Sequence, residues 1–337
     1  MHRSIIAGLI AGLISGCTAK VDEPFLSVSP ERQNFLGASE RVGAEWAGVH
    51  ATTQVTVVTG APSVPVRWDV VSTGSTASLL AIDTAPDGTA WAVGERGTVL
   101  HLVGRGWLSV PTGVRGTLRA VAFTAAGQPL VGGDDGVVLA LEGERFQALV
   151  APLEGDDVTA LAVDSSGVVH VGMRSGRLLW LAEAGAKEKL TAPGPIAALA
   201  AYRDEVWAVG TGFMAHWVGG AWALQPSPDG VILSSVSATD DALLLSGTLE
   251  GISQQYGVVV AGPSPTWKSS ALPAPASVAA GSGDERFALT STGFYRQVGN
   301  AEWSPVGALL DAKAMTSRHP GDLVLVGPPG TSLLRTR

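Results

Sequence analysis

One cysteine, Cys17, is the whole thiol content of 337 residues. No disulfide can form within the chain, and no zinc site built on paired cysteines is available. Charge is scarce as well. Asp, Glu, Lys and Arg make up 15% of the residues, and the balance is acidic, with a net charge of -8. Without a cluster of Lys or Arg there is no electrostatic footprint for a nucleic-acid backbone and no long-range attraction to anionic lipid. Aromatic residues are few apart from 10 tryptophans, and the long runs of Glu, Lys, Leu and Gln that build surface helices are missing. Glycine is plentiful, at 43 residues. This composition favours short strands buried on both faces.

The first residues, MHRSIIAGLIAGLISGC, combine a short segment bearing Arg3, an apolar run from Ile5 to Ile14, and Ser15-Gly16 directly before Cys17. That layout predicts an export signal over residues 1–16; an apolar run of about ten residues is half of what a membrane-spanning helix needs. Ile14-Ser15-Gly16-Cys17 resembles the lipobox of bacterial lipoproteins, which implies acylation of Cys17 and attachment to a membrane through lipid. Thr18 follows where an Asp would suggest inner-membrane retention, so the resemblance implies the outer membrane, on its periplasmic or cell-surface side. Residues 17–43, mixed in charge and without period, are expected to be a flexible tether, and residues 44–63 an extra strand segment.

From residue 64 to 337 one pattern recurs: a strand, a tight Gly turn, a second strand, then an aromatic. WAVGERGTVLHLVGRGW, Trp91 to Trp107, shows it in full. The closing glycine recurs as Gly97, Gly136, Gly176, Gly212, Gly251, Gly293 and Gly330. Trp107, Phe146, Trp222 and Trp303 follow their glycines ten residues later; Leu190 and Trp267 hold this place at longer spacing. Another strand precedes each turn, so each repeat of about 40 residues holds four strands, the size of a propeller blade. The last repeat ends before its fourth strand. RWDVV, Arg67 to Val71, is an aromatic-led outer strand without a partner in its own neighbourhood. The expected fold is therefore all-β: a seven-bladed β-propeller of four-stranded antiparallel blades, closed by an N-terminal strand that completes the last blade. Closure would cover edges that invite aggregation.

The repeat resembles that of propellers of the photosystem II assembly factor type, which carry a similar WAVG strand before a Gly turn and a Trp after it. The likeness is best over Trp91 to Gly97 and Trp207 to Gly212 and thin in the fifth to seventh repeats, where Ser246, Thr290 and Val326 stand in the valine position. WD-repeat propellers are the second resemblance, although their Gly-His and Trp-Asp signatures are missing from the repeats.

No Gly-x-Ser-x-Gly, His-Glu-x-x-His, Walker loop or Cys-x-x-Cys is present, so no motif points to catalysis, a metal or another cofactor. Asp87-Gly88 reads as a plain turn. His101, His170 and His216 fall in strands of different repeats, where convergence on a metal is not expected. The meander directs the turn between the second and third strands of each repeat, and the connection from its fourth strand to the next repeat, to a common rim. That rim is expected to display Glu95, Arg96, Arg115, Asp134, Asp135, Asp156, Asp157, Arg174, Asp229 and Glu250 as a partner-binding face. These observations lead to the expectation of a monomeric, lipid-anchored, non-catalytic scaffold with a protein partner in the cell envelope. The alternative is a glycosidase-type or lyase-type enzyme, or a small-ligand binder, working at the channel mouth.

Overall fold

The strand that carries Trp91 shows how a repeat folds. Ala90–Gly94 is buried at every position and pairs antiparallel with Leu79–Thr84 on one side and Val99–Val103 on the other. Gly106–Ser109 adds outside. The turn after Gly94 passes through Arg96 and Gly97, both left-handed, at φ 58° and 66°. A Cβ on Gly97 would lie 2.1 Å from the Val114 carbonyl oxygen, and one on Gly136 would lie 2.2 Å from that of Leu153. Only glycine meets both demands.

A computed structural model describes residues 53–57 and 66–335, apart from 154, 183–184, 228–230, 239–242, 250–254, 257–258, 262–266, 269–270, 273–275, 283–284, 291–292, 300–301, 308–310 and 318–321. Blade 1, described above, is followed by blade 2 (Leu118–Phe123, Pro129–Gly133, Val138–Glu142, Arg145–Ala148) and blade 3 (Val158–Val163, Val169–Met173, Arg177–Ala182, Gly185–Thr191). Blade 4 comprises Ile196–Tyr202, Glu205–Gly210, Phe213–Val218 and Ala221–Pro226. Blade 5 comprises Val231–Ala238, Leu243–Leu249, Val259–Ala261 and Trp267–Lys268, with a two-stranded addition of Gln255–Tyr256 and Ala271–Leu272. Blade 6 is Ala276–Ser282, Glu285–Thr290, Phe294–Val298 and Ser304–Gly307. The first strand of each blade faces a common axis and packs on the first strand of the next.

The expectation of seven four-stranded blades is corrected: six sheets have that form. The sheet between blades 6 and 1 is a five-stranded composite of both chain ends, ordered Thr53–Val57, Val66–Ser72, Thr331–Arg335, Leu323–Val326, Ala314–Thr316. Asp69 pairs with Leu334 and Val70 with Leu333. The outer edge of Val66–Ser72 is left open by that pairing, and the alternating TQVTV strand fills it, Thr53 opposite Val70 through Val57 opposite Val66. The fifth strand arises because an edge with unpaired amides and carbonyls is a template for one more strand. Residues 1–52, which include the expected export signal, Cys17 and the tether, lie outside the described residues.

Blades meet through interdigitated small and branched side chains. Ala120, Ala122, Leu130 and Val138 of blade 2 pack on Val158, Leu161, Val169 and Val171 of blade 3. Each fully buried Leu or Val contributes about 1.5–3 kcal/mol. Most inner strands slip register once near their start, as between Val158 and Ala160 or Leu233 and Ser235. The bulged residue has no ladder partner. In two of the blades the hydroxyl of this residue stitches neighbouring sheets: Thr159 donates to Ile196 O at 2.7 Å, and Ser234 to Ala276 O at 2.8 Å.

Candidate functional site

The rim gathers most of the described residues that the sequence singles out, and it ties many of them to one another. Asp134 sits after the second strand of blade 2. Its Oδ2 accepts the Thr117 amide at 2.8 Å, and its Oδ1 accepts Arg119 Nε at 2.9 Å and pairs with Nη2 at 2.8 Å. Burial opposes a charge on this carboxyl, but the Thr117 amide and Arg119 outweigh it and hold the group below the usual carboxylate range. Asp157 bridges blades 2 and 3: Oδ1 accepts the Asp135 amide at 3.0 Å, and Oδ2 pairs with Arg174 Nε at 2.9 Å. Asp156 Oδ1 accepts the amides of Asp157 at 2.9 Å and Ser175 at 3.1 Å, and its Oδ2 accepts the Ser175 hydroxyl.

Asp135, Asp156, Asp157 and Arg174, with Pro152 and Gly155, line a cleft of about 530 Å³ between these two blades. Asp135 is exposed and held left-handed at φ 59°, a conformation that costs a non-glycine residue energy, though Asp tolerates it best. Arg96, left-handed too, reaches the Thr76 carbonyl, and Glu95 Oε2 accepts the Ser78 amide at 3.3 Å. Arg115 is exposed and makes no ion pair among the described residues. Asp229 and Glu250 lie outside the described residues. The result is a facet whose backbone is fixed by inter-blade bonds and whose free chemistry is chiefly carboxylate.

The axis is a channel of about 750 Å³ lined by the inner strands. Its wall is mostly Ala, Ser, Thr and branched residues, with three charged side chains, Asp83, Arg119 and Lys313. Asp83 is half-buried, and burial pushes its carboxyl up to about 6 against the Thr84 amide, which donates to it at 2.7 Å.

The three strand histidines stay apart, each against tryptophan. His101 stacks on Trp91 with centroids 4.1 Å apart, and His216 lies against Trp207 at 4.9 Å. His170 is fully buried, edge-on to Trp217 and Trp222 of blade 4, and its Nε2 donates to Asp164 Oδ2 at 2.9 Å. Burial lowers the affinity of His170 for a proton, and Asp164 only partly offsets this. Among the described residues no group of three or more His, Cys, Asp or Glu side chains is arranged to hold a metal ion. Asp87 accepts the amide and hydroxyl of Thr89 at 2.8 and 2.7 Å, the geometry of a turn.

Sequence reasoning missed Asp83, Lys313 and the Asp164–His170 pair. A signal for the first existed: an Asp inside an apolar inner strand is out of place unless the strand borders solvent.

Strands stacked in this way around an axial channel define the class as a β-propeller. No family model and no curated protein matches the chain. Solved structures do. YCF48 from Cyanidioschyzon merolae is 16% identical with a TM-score of 0.64, over 80% of this chain and 98% of that one; YCF48 bound to D1 peptide gives the same score and identity, over 80% and 97%. A virginiamycin B lyase from Staphylococcus aureus reaches 0.66 at 8% identity, over 80% and 99%. The WD40 domain of Doa1 gives 0.63 at 10%, over 80% and 97%. The resemblance to propellers of the photosystem II assembly factor type thus holds for the fold. Because an assembly factor, a WD40 domain and a lyase all share it at such identities, the likeness does not select a function.

Proposed function

We propose that this protein is a lipid-anchored propeller of the bacterial cell envelope that presents its rim to a protein partner and performs no chemistry on it. The observation that carries the reading is the cleft between blades 2 and 3, where Asp135, Asp156 and Asp157 outnumber Arg174 on a backbone fixed by inter-blade hydrogen bonds. A rigid acidic facet favours a partner surface bearing Lys or Arg, which it attracts over a distance and orients on contact. That the same fold holds a peptide in YCF48 supports recognition of polypeptide by such a scaffold. Acyl chains on Cys17 would keep the propeller at the outer membrane, with residues 17–43 as its tether.

Crosslinking and pull-down from envelope membranes test both parts. Cys17→Ser is expected to move the folded protein from the membrane to the soluble fraction. Asp135→Lys, at a side chain with no hydrogen bond or ion pair among the described residues, is expected to leave fractionation unchanged, to cost no more than about 1 kcal/mol of stability at its left-handed backbone, and to release the captured partner. Retention of that partner by the charge-reversed protein would refute the facet; unchanged fractionation of the Cys17 variant would refute the anchor.

A further inference from the structure

The axial channel holds two opposite charges that neither the packing nor the rim uses. Because the inner strands share a bulge, their residues can be compared position by position through their partners on the second strand. Asp83, opposite Trp91, occupies the place that Ala122, Ala162, Ala200 and Ala280 hold elsewhere in the ring. Alanine satisfies this position in four blades, so packing does not account for a carboxyl. Among the described residues the Asp83 side chain has one hydrogen bond, from the adjacent Thr84 amide, and no ion pair.

Lys313 borders the same channel from the neighbouring closing sheet. It is exposed and makes no ion pair among the described residues, whereas the other channel cation, Arg119, is held by Asp134. The Thr84 and Thr316 hydroxyls meet at 2.9 Å, which fixes the stagger of the two inner strands. Asp83 and Lys313 are therefore two to three strand steps apart along the channel, about 7–10 Å at ~3.3 Å per residue. An extended di- or tripeptide places its ammonium and carboxylate about that far apart. The wall is built from strand edges, whose amides and carbonyls complement a peptide backbone, and a volume of about 750 Å³ admits one.

We propose that the channel binds a short extended peptide with both termini free, its ammonium against Asp83 and its carboxylate against Lys313. This site is independent of the rim and of the partner proposed for it.

Calorimetry on the full-length protein with Ala-Ala-Ala, its N-acetyl derivative and its C-terminal amide separates the two ends. Asp83→Ala and N-acetylation are each expected to weaken binding at least tenfold, and together no more than either alone. Lys313→Ala and C-amidation should behave as a second such pair. Asp83→Ala places in blade 1 the residue found in four other blades, and an unchanged or raised melting temperature will show that lost binding is not lost folding. Equal binding of the acetylated and free peptides, full binding by both variants, or no binding of the free peptide overturns the proposal.

Discussion

The hydroxyl of Ser332, in the last strand of the chain, donates to the carbonyl of Val71, in the strand that begins the ring, at 3.0 Å. Ser332 is itself the acceptor for Trp107 Nε1 of blade 1, at 2.8 Å. One buried hydroxyl therefore links the two ends of the chain to the neighbouring blade. A second clasp lies on the other side, where Arg335 donates two bonds at 3.1 Å to the buried Glu285 Oε1 of blade 6.

Ser332→Ala removes that link and leaves the Trp107 indole N–H without its acceptor. The expected loss is about 1–3 kcal/mol, the penalty for an unsatisfied donor in a buried setting. Urea unfolding measures it, and a shift below a few tenths of a kcal/mol would show that the seam does not depend on this hydroxyl.

Gly94 ends the second strand of blade 1, where an added Cβ would stand 2.0 Å from the Ser78 carbonyl oxygen; Gly133 stands in the same relation to Thr117. The atoms met are backbone, which cannot turn aside. Gly94→Ala is expected to cost about 1–3 kcal/mol or more. Gly104→Ala, with nothing within 4 Å but a left-handed φ of 61°, should cost about 1 kcal/mol. The order of the two melting temperatures checks the argument.

Asp83 makes stability fall as pH rises. Its folded-state pKa, up at about 6 from 3.8, means that the folded protein holds the proton more tightly than the unfolded chain, so stability is lost between about pH 4 and pH 6. Asp83→Ala should therefore be more stable than the native protein by about 1–3 kcal/mol at pH 7.5, and the gap should close towards pH 4. Denaturant unfolding at the two pH values gives both differences.

His170 acts in the opposite sense. Burial against Trp217 and Trp222 depresses its pKa despite Asp164, so below about pH 6.5 the unfolded chain takes up a proton that the folded one refuses. Stability should fall on acidification from pH 7 to pH 5, by at most about 1.4 kcal/mol per pH unit for this group. Leu130 and Leu244 occupy the equivalent place in blades 2 and 5. His170→Leu should flatten the profile without abolishing it, because burial depresses His101 as well. An unaltered slope in the variant would remove His170 from the account.

The repeat was legible where local chemistry demands a residue type. Gly97, Gly136 and Gly330 mark turns because each adopts a positive φ, and the inner strands stand out as small and branched residues between polar turns. The bulge was not legible: the fifth inner strand, read from Ile232, slips at Leu233/Ser235, since register is set by the partner strand. Nor was the pairing of Asp135 with Asp157 or of His170 with the tryptophans of blade 4, because such contacts join neighbouring blades.

Sequence alone determined the strand-turn-strand repeat and the need for both chain ends to meet, since glycine conformation, apolar alternation and a missing last strand are properties of short segments. Only the tertiary structure decided that the meeting sheet has five strands beside six four-stranded blades, and that Asp83 and Lys313 share a channel. Those outcomes depend on which edges remain open once the blades have packed around the axis, and an open edge is a relation between segments distant in the chain.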